Sequence, residues 1–321
     1  MPSPFRRAPP VLSSFARDSA VAGVFVPSSP TAACVCYLFR VTGVCNVRRQ
    51  TPMDVKSGAT KAEDVNFPLR WGIIGASRIS SDWIKCLGDV PGASLAAVAA
   101  RDMGRAQEYA DAHGIPTAYD SYVTLVSDPE VNIVYIGTKT DDHHAHTMLA
   151  IDAGKHVVCE KPFCATEVQA AECFAAAAAK GVFLQEGMWT RFFPIVEHAR
   201  QIIADGAIGR VITVKSDFPD ICYALTPATM VFGPDKLPAV TAKGSPGMSG
   251  IAVLEYGPGD DGKPGDRLGI CSFTSWAEKF PETTEFIGTQ GRITLHSPAH
   301  CPTTMTISAP QGETTVHYPL L

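Results

Sequence analysis

The chain has 321 residues, enough for more than one domain with its own core. Apolar residues make up 45% and charged residues 18%, the balance of an ordinary globular protein, and the net charge of −5 gives no electrostatic case for nucleic acid or an anionic membrane surface. No apolar run reaches the length of a membrane-spanning helix; Ala32 to Val44 is too short and is broken by Arg40.

The first 66 residues stand apart. They are rich in Pro, Ser, Ala and Arg, and Arg6, Arg7, Arg17, Arg40, Arg48 and Arg49 face the single acid Asp18 before Asp54. Three readings fit this extension: an organellar transit peptide, a disordered tail, or a stretch upstream of a start at Met53. The expected location is cytoplasmic, or a plastid or mitochondrion if the extension is a transit peptide. The 10 cysteines show no C-x-x-C pair and no zinc-like spacing, and read as mostly reduced, buried or inert thiols in a reducing compartment.

From Arg70 the pattern becomes regular. Trp71–Gly75 predicts a strand running into a glycine turn, Ile79–Leu87 a helix, Ser94–Ala100 a strand and Met103–His113 a helix with Ala106, Tyr109, Ala110 and His113 on one face. Tyr122–Val126 predicts a short helix, Asn132–Ile136 a strand, His144–Asp152 a helix and His156–Cys159 a strand. Val168–Ala179 then predicts an Ala-rich helix and Val182–Gln185 a strand. Strands and helices alternating over short loops predict an α/β fold with a doubly wound parallel sheet. Further on, Val211–Ser216 reads as a strand and Ala224–Val231 as a helix. Residues 238–317 then read as sheet, over Ala239–Lys243, Gly250–Tyr256, Leu268–Trp276, Thr283–Gly288, Arg292–His296, Thr304–Ser308 and Thr314–Tyr318. Turns such as Gly257–Gly262 separate these strands.

Four segments carry candidate chemistry. The turn Gly75-Ala76-Ser77-Arg78-Ile79-Ser80 keeps only the first glycine of the G-x-G-x-x-G fingerprint, with serines in the other two places. It reads as a phosphate cradle at a helix N-terminus or as a plain tight turn. The second strand ends in Arg101, with Arg105 a turn later; an arginine there accommodates a 2′-phosphate, so the expected cofactor is NADP rather than NAD, against a reading of two solvated arginines. In Asp141-Asp142-His143-His144-Ala145-His146 the acids are expected to cap a helix and one histidine to lie near the nicotinamide; no metal site is expected. Val157-Val158-Cys159 ends in Glu160-Lys161-Pro162, which places Lys161 beyond the carboxyl end of a strand, as a catalytic group or as a surface lysine beside a glutamate.

Gly72-Ile73-Ile74-Gly75, Ala100-Arg101-Asp102, Gly137-Thr138 followed by His143, and Glu160-Lys161-Pro162 together resemble the glucose-fructose oxidoreductase / inositol dehydrogenase (Gfo/Idh/MocA) family. Trp189-Thr190-Arg191-Phe192-Phe193-Pro194 resembles its dimeric dihydrodiol dehydrogenase and NADP D-xylose dehydrogenase branch. The resemblance implies a Rossmann domain over 67–186 that binds NADP through Gly75, Ser77, Arg78, Ile79, Arg101, Arg105, Thr138, His143, Glu160 and Lys161. It implies an α+β domain over 187–321 with an open, mostly antiparallel sheet that carries the substrate site and the homodimer contact. Lys161 and Tyr223 become the catalytic pair, and Trp189, Arg191 and Phe192 the substrate contacts. The implied reaction moves a hydride from a secondary alcohol of a sugar or trans-dihydrodiol to NADP.

The sequence also departs from the family pattern. Phe218-Pro219 runs directly into Asp220-Ile221-Cys222-Tyr223, without the family's loop and glycine, as if a segment were deleted. The chain ends at Leu321, before a closing helix the family places against its first domain, so uncovered apolar surface is expected. The alternative function is therefore an inactive nucleotide-binding or regulatory relative, or a truncated isoform.

Overall fold

The computed structural model describes residues 68–233, 238–245, 249–258, 266–275 and 282–318. The extension over 1–66, the glycine turn beyond Pro258, and Trp276 lie outside the described residues. The described chain divides after Trp189 into two compact units.

The first unit is a six-stranded parallel sheet in the order β3-β2-β1-β4-β5-β6. Its strands are β1 (Leu69–Ile74), β2 (Ala93–Ala99), β3 (Thr117–Tyr119), β4 (Ile133–Ile136), β5 (His156–Cys159) and β6 (Leu184–Glu186). The crossovers are α1 (Arg78–Leu87), α2 (Met103–His113), α3 (Tyr122–Ser127), α4 (Thr140–Asp152) and α5 (Glu167–Lys180). The central strands are buried on both faces, which is why they read as continuous apolar runs instead of alternating ones. Ile74, Val134, Ile136, Leu125, Ile151 and Val157 fill the core, each buried side chain contributing roughly 1.5–3 kcal/mol. A second packed seam stacks Trp83 on Tyr135 with centroids 4.4 Å apart, and Trp71 against Trp83 at 5.4 Å. The strand order reverses at β1, which pairs with β2 on one side and β4 on the other. In such sheets ligands bind beyond the carboxyl ends of the strands at that reversal.

Some local expectations need correction. α4 starts at Thr140, four residues before the expected start, so Asp141 and Asp142 sit in its first turn and make no capping hydrogen bond; Lys139 is the cap residue. Acids there still complement the helix dipole. The short strand β3 has no counterpart in the sequence reading.

The second unit is an eight-stranded sheet in the order β14-β13-β12-β11-β7-β10-β9-β8. These are β7 (Val211–Phe218), β8 (Ala239–Ser245), β9 (Ser249–Pro258), β10 (Asp266–Thr274), β11 (Thr283–Gly288), β12 (Arg292–Leu295), β13 (Thr304–Ala309) and β14 (Gly312–His317). All neighbours are antiparallel except β7 and β10, which run parallel. Alternate residues of the central strands turn inward: Val214, Ser216 and Phe218 from β7, Thr284 and Phe286 from β11, Ile293 and Leu295 from β12, Met305 and Ile307 from β13. A 3₁₀ turn (Trp189–Phe192) leads into α6 (Pro194–Ala204), a helix the sequence reading did not place. α7 (Ile221–Phe232) packs on β7 and β10. It begins three residues before the expected start, because Asp220 caps it by accepting from the Cys222 amide at 3.1 Å.

Candidate functional site

At the carboxyl edge of the first sheet, β1 enters a turn at Gly75 with φ +99. A side chain there would be strained, and its Cβ would meet Thr138 Cγ2 at 2.9 Å and the Gly137 carbonyl oxygen at 3.1 Å. The turn then feeds α1. Ser77 caps that helix, accepting from the Ser80 amide at 3.3 Å, and donates its own hydroxyl to the Gly137 carbonyl at 2.8 Å. The serine expected to meet a phosphate through its hydroxyl thus ties the β1 turn to the end of β4. Ser80, buried, donates to the Gly75 carbonyl at 2.7 Å. Arg78 and Ile79, in the first turn of α1, are exposed.

Arg101 is exposed directly after β2. Asp102 is turned away to cap α2, accepting from the Arg105 amide at 2.8 Å. The Arg105 guanidinium donates through Nη2 to the Ala76 carbonyl at 2.7 Å, so it lies over the glycine turn. Tyr109, one turn further along α2, donates to the Ser77 carbonyl at 3.0 Å. Sequence reasoning put Tyr109 on the buried face of its helix without giving it a role. Its spacing of four from Arg105 was the available signal.

The end of β4 is held by two histidines. His143 is buried, with Nδ1 2.9 Å from the Pro162 carbonyl and Nε2 3.2 Å from the Thr138 carbonyl. It therefore clamps the β4 loop to the loop that carries Lys161. His146 Nδ1 lies 3.0 Å from the Thr138 hydroxyl, and burial lowers the affinity of His146 for a proton. His144 faces Glu172 on α5 at 2.9 Å. His143 and His146 thus meet at Thr138 while His144 turns to α5, and among the described residues no group of three His, Cys, Asp or Glu is placed to hold a metal ion.

β5 ends at Cys159, and the chain turns through Glu160, Lys161 and Pro162, with a cis Lys161–Pro162 peptide bond. The Glu160 carboxylate accepts from the Tyr135 hydroxyl at 2.8 Å and from the Lys161 amide at 3.1 Å. Burial pushes this carboxyl up from its ordinary range, and the Tyr135 hydrogen bond opposes the shift. Glu160 is thus a brace for the lysine-bearing turn. Glu186 at the end of β6 accepts from the Phe163 amide at 3.0 Å and fixes the other side of that turn. Lys161 is partly exposed.

In the second unit, Tyr223 lies in the first turn of α7, partly buried, with its ring 5.9 Å from Phe218 and 5.9 Å from His300. Arg191 donates to the Thr229 hydroxyl at 3.5 Å and lines a small, mainly apolar hollow with Thr226, Pro227, Met230, Phe286 and Leu295. Phe192 is buried at 8% exposure. Trp189, the last residue of the first unit, is partly buried.

A nucleotide-binding parallel sheet joined to a mostly antiparallel sheet, with this turn and this lysine, defines a two-unit oxidoreductase. Residues 69–188 match the GFO_IDH_MocA model, described as an oxidoreductase family with an NAD-binding Rossmann fold. The chain is 36% identical over 274 residues to trans-1,2-dihydrobenzene-1,2-diol dehydrogenase of Bos taurus, covering 76% of this chain and 79% of that protein. Among solved structures, an NAD-binding oxidoreductase from Klebsiella pneumoniae superposes with a TM-score of 0.67 at 23% identity, over 78% of this chain and 80% of that one. A 3-ketoreductase from Actinomadura kijaniata solved with NADP superposes with a TM-score of 0.65 at 22% identity, over 79% of this chain and 84% of that one. The chain belongs to the Gfo/Idh/MocA oxidoreductase family, on the branch of the trans-dihydrodiol dehydrogenases.

Proposed function

We propose that this oxidoreductase, acting on CH–OH groups, moves a hydride from a secondary alcohol of a trans-dihydrodiol or of a sugar like D-xylose to NADP. The observation that carries the cofactor reading is the arrangement after β2. Asp102, the acid that could hold a ribose 2′-OH, is engaged in capping α2, while Arg101 is exposed and Arg105 lies over the glycine turn. That pattern favours a 2′-phosphate. The close approach at Gly75, where a Cβ would run into Thr138 and Gly137, supports reading this as the glycine turn of a dinucleotide site. Gly75, Ser77, Arg78 and Ile79 would hold the pyrophosphate, Arg101 and Arg105 the 2′-phosphate, and Thr138, His143, Glu160 and Lys161 the nicotinamide end. When bound, NADP supplies the ring that accepts the hydride.

The chain's own residues handle the proton. In this reading Lys161 and Tyr223 are the catalytic residues, the Tyr223 phenolate taking the hydroxyl proton of the substrate. Trp189, Arg191 and Phe192 form the substrate side. The outward face of β9 and β10, with Ile251 56% and Ile270 39% exposed, supports a homodimer through the second sheet. The alternative is an inactive nucleotide-binding or regulatory relative, favoured by the short Pro219 link between β7 and Asp220.

The test is NADPH formation by the full chain with a trans-dihydrodiol or D-xylose. Turnover is expected with one of them, and Lys161→Ala is expected to lower it by about a hundredfold or more while NADP still binds. NADP binding without any turnover would support the inactive relative, and full turnover by Lys161→Ala would remove the lysine from the mechanism.

A further inference from the structure

The segment between β12 and β13, together with Glu282 just ahead of β11, assembles three reactive groups that the hydride chemistry leaves unused. His300 Nδ1 is bonded to the Glu282 carboxylate, and His300 Nε2 lies 3.4 Å from Cys301 Sγ. Carboxylate, imidazole and thiol thus form a line, with the imidazole in the middle, rather than a shell around a common point. The line is built on a fixed frame. Thr190 donates its hydroxyl to the His300 carbonyl at 2.6 Å, the Cys301 amide donates to the Pro298 carbonyl at 3.0 Å, and the Ala299 amide donates to the Glu282 carbonyl at 3.3 Å. Cys301 is partly exposed.

The chemistry of such a line is specific. The carboxylate at Nδ1 fixes the ring's orientation and stabilises the imidazolium, which leaves the Nε2–H facing the sulfur. The thiolate, not the thiol, is the nucleophile, and a neighbouring imidazolium is among the features that activate cysteines. We propose that Cys301 is a modification site, a thiolate paired with His300 that attacks small-molecule disulfides and becomes a mixed disulfide. In the step, Cys301 reacts as the thiolate, its proton lost to solvent, with His300 as the imidazolium beside it. Cys301 Sγ then bonds to one sulfur of the disulfide while the S–S bond breaks. The other sulfur leaves as a thiolate and takes a proton from solvent, so Cys301 is oxidised and the incoming disulfide is reduced.

Two observations support the assignment. The Cys301 contact, with the Glu282 bond adding to it and burial opposing it, raises the proton affinity of His300 to a pKa of about 9. The other partly exposed cysteines among the described residues sit differently: Cys222 donates its S–H to the Asp220 carboxylate at 2.8 Å, an anion beside the sulfur, and burial pushes the Cys164 thiol up.

The experiment treats the reduced full chain with oxidised glutathione at neutral pH and follows each cysteine by peptide mass mapping. Cys301 is expected to react about tenfold or more faster than Cys164 and Cys222 in the unmodified protein. Glu282→Gln and His300→Asn are each expected to slow Cys301 by about tenfold with the circular dichroism unchanged. The proposal is overturned if Cys301 in the unmodified protein reacts no faster than Cys164 and Cys222, a comparison that needs no variant to fold. It is also overturned if both variants fold and leave the Cys301 rate unaltered.

Discussion

The Tyr135 hydroxyl donates to the Glu160 carboxylate at 2.8 Å, joining the interior of β4 to the residue that follows β5. Tyr135 is fully buried, and burial followed by the nearby carboxylate pushes its phenol well above the ordinary range, so it stays a neutral donor. The same carboxylate receives the Lys161 amide. Removing the donor strands a partly buried carboxylate at the foot of the lysine-bearing turn. Tyr135→Phe is expected to destabilise the fold by about 1–3 kcal/mol in chemical denaturation. Glu160→Gln keeps an acceptor for Tyr135 and is expected to cost less. Equal stability of Tyr135→Phe and the parent chain would show that the bond does not brace the turn.

Gly137 faces the other side of the same edge. A Cβ there would sit 2.2 Å from Ser80 Oγ and 2.9 Å from Tyr135 Cε1, and Ser80 is held by its bond to the Gly75 carbonyl. Gly137→Ala is therefore expected to destabilise by about 1–3 kcal/mol, as overpacking in a fixed core does. The closest contact is with the Ser80 oxygen, so adding Ser80→Ala should recover part of the loss. A double variant no better than the sum of the two single ones would place the strain elsewhere.

The first unit was largely legible because each of its elements announces itself locally. Val157-Val158-Cys159 and Ile133–Ile136 are short apolar runs between helices, and such alternation admits few topologies. Arg101 and Lys161 could be placed because each follows a strand end. The braces were not legible, since they join residues far apart in sequence: Ser77 to Gly137, His143 to Pro162, Tyr135 to Glu160. Glu160 was read as a cofactor contact, and the further part its carboxylate plays in supporting the turn was not legible. In the second unit the strands could be read but their order could not, because β7 lies parallel to β10 and antiparallel to β11 across long separations. The alignment of Glu282 with His300 depends on that tertiary arrangement.

The arginines after β2 predict a separation between two cofactors. Arg101→Ala removes a charge from the proposed 2′-phosphate contact, and charge-assisted bonds of this kind are worth about 1.5–3 kcal/mol. The NADP dissociation constant is expected to rise by about tenfold to a hundredfold in fluorescence titration, with that for NAD nearly unchanged. Arg105→Ala should weaken both cofactors, because Arg105 also holds the Ala76 carbonyl of the turn. Equal losses for NADP and NAD in Arg101→Ala would remove Arg101 from 2′-phosphate recognition.

His300 makes stability depend on pH in a defined direction. Its proton affinity in the folded chain is raised to about 9, first by Cys301 and then, against burial, by Glu282. The unfolded value is near 6.5, so between about pH 6.5 and 9 the folded chain binds the proton that the unfolded chain has released. The stabilisation is fully present below about pH 6.5 and is lost as pH rises through 9. The group is partly exposed, so solvent screening keeps the effect small. Melting temperatures of the parent chain and of His300→Gln, measured across this window, should differ most at the acidic end and converge at the alkaline end. Curves that run parallel from end to end would show that the ring's proton does not contribute to holding Glu282 and Cys301 together.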